Sequence, residues 1–161
     1  MEEGSSLIGQ ENLNIKDCAT VRQYIHGYNA EGSVDGWHLL SSSVGSFTID
    51  GSDFDPGEND DFYGWEESTN TWKNHKAGKP TQVEPGRGYL VAYQNSVTKE
   101  FSGALNTEDV NVTGLTYNPD EGNGWNLVGN PFSSAIEWDD GSWILNDIQA
   151  TAKIRDEAGG N

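Results

Sequence analysis

Between Asp50 and Asp61 the chain gathers Asp53, Asp55, Glu58, Asp60 and Asp61 into one turn-rich stretch, Asp50-Gly51-Ser52-Asp53-Phe54-Asp55-Pro56-Gly57-Glu58-Asn59-Asp60-Asp61. Calcium takes roughly six to eight hard oxygen ligands from carboxylates, carbonyls and water, so these five side chains are the candidate metal ligands and calcium the candidate cofactor. The stretch departs from the helix–loop–helix calcium pattern, because Pro56 and Gly57 stand where further oxygen ligands would fall. A solvated acidic loop is the competing reading, since acidic side chains mostly sit exposed.

Directly after this loop come Tyr63, Trp65 and Trp72, with Trp138 and Trp143 further on. Flat aromatic rings can stack on the C–H faces of sugars while nearby carboxylates and amides hydrogen-bond the hydroxyls. Tyr63, Trp65 and Trp72 are thus the candidate ligand-binding residues, on a hairpin beside the acidic loop. The competing reading places these rings in the core, where aromatics carry large buried areas. Trp37 and Trp125, each following a glycine and opening an apolar run, are expected to be core members.

Catalytic patterns are sparse, and no catalytic residue is assigned. His26, His38 and His75 lack the short spacing of a paired metal site. Ser41, Ser42 and Ser43 lack the glycine-flanked turn of an exposed serine nucleophile. Glu66, Glu67 and Glu137 could supply a glycosidase carboxylate pair, because such pairs are set in space rather than in sequence. Gly86-Arg87-Gly88 is too short to cradle a phosphate and lacks the following Lys-Ser/Thr.

The elements that must position these residues read as short strands between turns. Ala19 to Ile25, Gly36 to Ser42, Ser46 to Ile49, Phe62 to Glu66 and Asn70 to Asn74 come first. Tyr89 to Tyr93, Val97 to Phe101, Asp109 to Leu115, Gly124 to Asn130 and Thr151 to Arg155 follow. Tyr89-Leu90-Val91-Ala92-Tyr93 is almost continuously apolar and reads as a central strand. The expected fold class is all-β: an antiparallel β-sandwich of short strands, jelly-roll-like or Ig-like, with one short helical turn near Trp143 to Ile148.

Composition narrows the partners. A formal net charge of -17, from 26 acidic against nine basic residues, repels phosphate backbones and anionic lipid, so neither nucleic acid nor membrane insertion is expected. Cys18 is the one cysteine, which excludes an intrachain disulfide. It reads as a small buried apolar residue.

Gly36-Trp37-His38-Leu39 and Gly124-Trp125-Asn126-Leu127 share a Gly-Trp-x-Leu start. The first copy runs on to Gly86-Arg87-Gly88-Tyr89-Leu90-Val91, whereas the second stops short of such a segment. The expected organisation is a leading segment over 1–18 and a β-sandwich module over 19–161, with a truncated second repeat from about 124 and a parent chain that continues.

Taken in order, Ala19 to Ile25, Gly36 to Ser42, Tyr63 to Glu67, Gly86 to Val91, Phe101 to Asn106 and Gly124 to Phe132 form a series. It resembles a β-rich accessory domain of large secreted Bacteroidetes proteins, of the kind that often end in a type IX secretion sorting domain. That resemblance implies a secreted or cell-surface, multidomain setting and carries no catalytic residues. Ser43 and Ser133 depart from it, standing where prolines are usual. The expected function is a non-catalytic binding or accessory module for a polysaccharide or surface glycan, beside neighbouring domains of its parent protein. The alternatives are a structural spacer without a ligand and a glycoside hydrolase with an unrecognised carboxylate pair.

Overall fold

In the computed structural model, residues 18–32, 35–138 and 140–154 are described. The leading segment apart from Cys18 therefore lies outside the described residues, as does Arg155.

Among the described residues eight strands carry the fold: β1 (Ala19–Ile25), β2 (Trp37–Leu40), β3 (Phe47–Thr48), β4 (Asp61–Glu66), β5 (Thr71–Asn74), β6 (Gln82–Val83), β7 (Tyr89–Ala92) and β8 (Val97–Gly103). They pair antiparallel throughout, as β1-β8, β2-β7-β4-β5 and β3-β6. The protein is all-β and β-sandwich-like. β1 shows the alternation of a half-buried strand, with Val21 packed against the core and Ile25 1% exposed at its end.

The four-stranded sheet puts its apolar residues on both faces. Opposite residues on neighbouring antiparallel strands share a face. Leu40, Tyr89, Val91 and Phe62 therefore line one face, and all four are buried in the core. Trp37, Leu39, Leu90, Tyr63, Trp65 and Trp72 line the other, where burial is only partial.

The core also takes in Ile25, Val44, Ile49, Phe54, Val83, Tyr93 and Phe101. Phe54 belongs to the acidic stretch, yet it is fully buried. Its ring lies 4.4 Å from that of Phe101 and 5.9 Å from that of Phe47. Burial of such a ring contributes roughly 1.5–3 kcal/mol, enough to bind the loop down onto β8.

Four regions differ from the expected strands and turns, one of them Thr151 to Ile154, where no strand forms. Residues 109–115 form no strand; Val110 and Val112 instead cover the turn at Gly86, and Arg87 donates from Nη2 to the Thr113 carbonyl. The Gly124 to Asn130 run pairs only through an isolated bridge between Val128 and Arg87. Residues 143–148 form no helical turn. Among the described residues the short 3-10 turns lie instead at Glu67–Thr69 and His75–Ala77, each closed by a left-handed residue, Asn70 and Gly78. Among the described residues no helix is long and apolar enough to cross a membrane.

Candidate functional site

β4 and β5 form a hairpin in which Trp65 stands directly opposite Trp72 and Tyr63 opposite Asn74. Tyr63 and Trp65 are two residues apart on one strand, so the three aromatics read from sequence share one face. The Trp65 and Trp72 rings meet at 5.1 Å with planes at 62°, and Tyr63 meets Trp37 edge-on at 5.8 Å. Trp65 donates from Nε1 to the Trp125 carbonyl at 2.6 Å, which fixes its ring. Trp72 lies on the edge strand and is 42% exposed. On the same face Asn74 donates from Nδ2 to Asp61 Oδ1 at 2.9 Å.

Trp125 corrects the expectation that it is a core residue. It is 42% exposed, and Lys153 Nζ lies over its ring, 4.3 Å from the centroid. The reason is the loss of regular pairing after Gly124, which leaves this segment lying over the hairpin rather than inside a sheet. Trp37 is half-buried. Cys18 is exposed rather than buried, at the open start of β1. Trp138 and Trp143 form a separate pair at 4.8 Å.

The acidic loop is folded tightly by its own side chains. Ser52 Oγ donates to the Ile49 carbonyl and accepts from Phe54 N–H. Asp55 Oδ2 accepts from Gly51 N–H at 2.8 Å, and Asp60 Oδ2 accepts from Gly57 N–H. Gly51 has φ +73, a left-handed conformation that suits glycine.

Of the five expected calcium ligands, Asp55 falls in a cluster of three donor groups among the described residues, and the others are placed as follows. Asp53 Oδ2 accepts from Glu100 N–H at 2.6 Å, and its carbonyl accepts from Lys99 Nζ. Asp60 Oδ1 accepts from Gln94 N–H at 2.8 Å, and Asp61 binds Asn74. Glu58 meets Lys76 through its backbone carbonyl. Asp55 alone joins a ligand-like group, with Asp50 and His75, whose donor atoms lie within 4.8 Å of one another. Sequence reading missed Asp50 and His75, because a histidine on the far hairpin gives no spacing signal toward the loop. Asp50 also borders an open groove of about 350 Å³ that Phe47, Asp53 and Glu100 help to line.

Of the three glutamates considered for a hydrolase pair, Glu66 and Glu67 have carboxylates held by structural partners. Glu66 meets Lys73 at 3.0 Å, and hydrogen bonds from Lys73 and then Thr69 hold its carboxyl below the usual range. Glu67 is buried, and its Oε1 accepts from Asn118 N–H at 2.6 Å and Gly124 N–H at 2.8 Å. The Glu137 carbonyl accepts from Trp143 Nε1.

The chain belongs to the family described as Domain of unknown function (DUF8693), which matches residues 1–154. No curated protein and no solved structure matches it.

Proposed function

We propose that this member of a family of unknown function is a non-catalytic binding module of a secreted or cell-surface protein, and that the hairpin face bearing Tyr63, Trp65 and Trp72 stacks on a neutral polysaccharide. One observation carries the reading: the outer face of the four-stranded sheet is aromatic. Antiparallel sheets with one face on the core ordinarily turn polar residues outward. Here Trp37, Tyr63 and Trp65 lie half-buried on that face and Trp72 is exposed at its edge, and exposed aromatic surface is what marks an interaction site. Trp65 is immobilised by Trp125, so little ordering cost remains for that ring on binding.

The charge of -17 favours an uncharged glycan over an acidic one, by long-range repulsion. Asp61 and Asn74 lie on the same face and supply hydrogen-bonding groups for hydroxyls. The likeness of the ordered strand series to accessory domains of secreted Bacteroidetes proteins points the same way. Affinity electrophoresis in gels containing xylan, galactomannan or β-glucan tests the proposal. Retardation by at least one of them, and none by an acidic pectin, is expected. Unretarded migration in every gel leaves the spacer reading in its place.

A further inference from the structure

We infer that Asp50, Asp55 and His75 form a divalent transition-metal site that clips the acidic loop to the turn after β5. The His75 side chain is 9% exposed, and its Nδ1 lies 2.6 Å from the Pro80 carbonyl oxygen. A carbonyl can only accept, so Nδ1 carries the hydrogen and donates it. That fixes the tautomer and turns the Nε2 lone pair outward, the orientation that a backbone carbonyl commonly gives to a metal-ligating histidine.

Nε2 lies 3.0 Å from Asp50 Oδ1. In the neutral ring this sets a lone pair against a carboxylate oxygen, two acceptors at hydrogen-bond distance. Only a cation between them resolves the contact: a second ring proton or a metal ion. Asp55, although exposed and open to water, is the group whose position favours the metal. Its carboxylate is the third donor within 4.8 Å, oriented by Gly51 N–H at one oxygen. A single proton bridges His75 and Asp50 alone, whereas a metal would gather Asp55 as well.

The donor set selects the ion. Two carboxylates and an imidazole suit zinc or manganese, while calcium takes oxygen almost alone. Metal–ligand bonds of about 2.0–2.2 Å hold donors closer together than 4.8 Å. Asp50, whose side chain is 75% exposed, has the freedom to swing in. Water completes the shell on its exposed side. The clip joins two segments that meet only in the folded chain, so binding stabilises the fold.

Chelator-stripped protein is titrated calorimetrically with Zn²⁺, Mn²⁺ and Ca²⁺ chloride, and ¹⁵N shifts of the His75 ring are followed in parallel. One Zn²⁺ per chain is expected, bound more tightly than Ca²⁺, with a large shift confined to His75 Nε2. Asp50→Asn, a change at an exposed side chain that leaves the fold intact, weakens Zn²⁺ by at least about tenfold, and His75→Gln does the same. The inference is overturned if Zn²⁺ and Mn²⁺ give no binding, if Ca²⁺ binds more tightly than either, or if Zn²⁺ affinity survives both substitutions. A doubly protonated His75 ring that Zn²⁺ leaves unchanged also overturns it and assigns the contact to a proton.

Discussion

Trp65 and Trp72 stand opposite one another on β4 and β5 with ring centroids 5.1 Å apart, yet only Trp65 is tied down, through its hydrogen bond to the Trp125 carbonyl. The pair thus joins a fixed ring to one presented on an edge strand. This asymmetry separates a residue that holds the face together from one that is available to a ligand.

The first prediction follows from that division. Trp72→Ala should cost about 0.5–1.5 kcal/mol, the worth of an aromatic pair beyond area. Trp65→Ala should cost more, because it also leaves the Trp125 carbonyl without its donor. Urea unfolding of the two variants and of the double variant measures both costs. Equal costs for the two single changes would contradict the asymmetry.

Phe54 gives a second prediction. Phe54→Ala should destabilise by about 3–5 kcal/mol, the range for a buried aromatic. Conservative surface changes in the same loop, such as Glu58→Gln, should stay within about 0.5 kcal/mol. A small Phe54→Ala effect in denaturant titration would mean that the acidic loop is not anchored through this ring.

Glu67 gives a pH dependence. Burial raises its pKa, but the nearby Thr116 hydroxyl and hydrogen bonds from Asn118 and Gly124 N–H together outweigh burial and hold it below the ordinary 4.5. A carboxylate depressed in this way contributes stability that is complete above its unfolded value and is lost as pH falls through its folded value. Glu67→Gln should therefore unfold more easily at neutral pH and show a shallower loss of stability below about pH 4.5. Unfolding free energies across pH 2 to 7 would display the difference; parallel curves would contradict it.

Gly122 tests the same clamp sterically. A Cβ at this position would lie 2.4 Å from the Glu67 carbonyl oxygen and 2.7 Å from its Cγ. Gly122→Ala should cost about 1–3 kcal/mol, as overpacking does, and should speed amide exchange at Asn118 and Gly124. Unaltered exchange at both amides would show that the loop yields without strain.

Much of the fold was legible in the sequence because it is written in local pattern. The alternation in Ala19 to Ile25, the apolar run from Tyr89 and the aromatic hairpin around Ser68-Thr69 became β1, β7 and the β4–β5 pair. Tyr63, Trp65 and Trp72 were found together for the same reason, since period-two spacing and a short turn place them on one face. What failed was non-local. Val110 and Val112 alternate like a strand, yet they cover Gly86 rather than pair in a ladder. Trp125 opens an apolar run but lies outside any sheet. The acidic loop showed its charges and hid Phe54, whose burial depends on β3 and β8. Asp50 and His75 meet only because the loop and the turn after β5 fold onto each other.

The central claim is that the outer aromatic face binds an uncharged glycan, and the most direct measurement is a titration of soluble xylan, galactomannan and β-glucan into wild-type protein and Trp72→Ala, followed by tryptophan fluorescence and calorimetry. The account predicts saturable binding of at least one polysaccharide by the wild type, with a fluorescence change that disappears together with the heat in the folded Trp72→Ala variant. Binding that persists undiminished in Trp72→Ala, or no binding by the wild type, would contradict it.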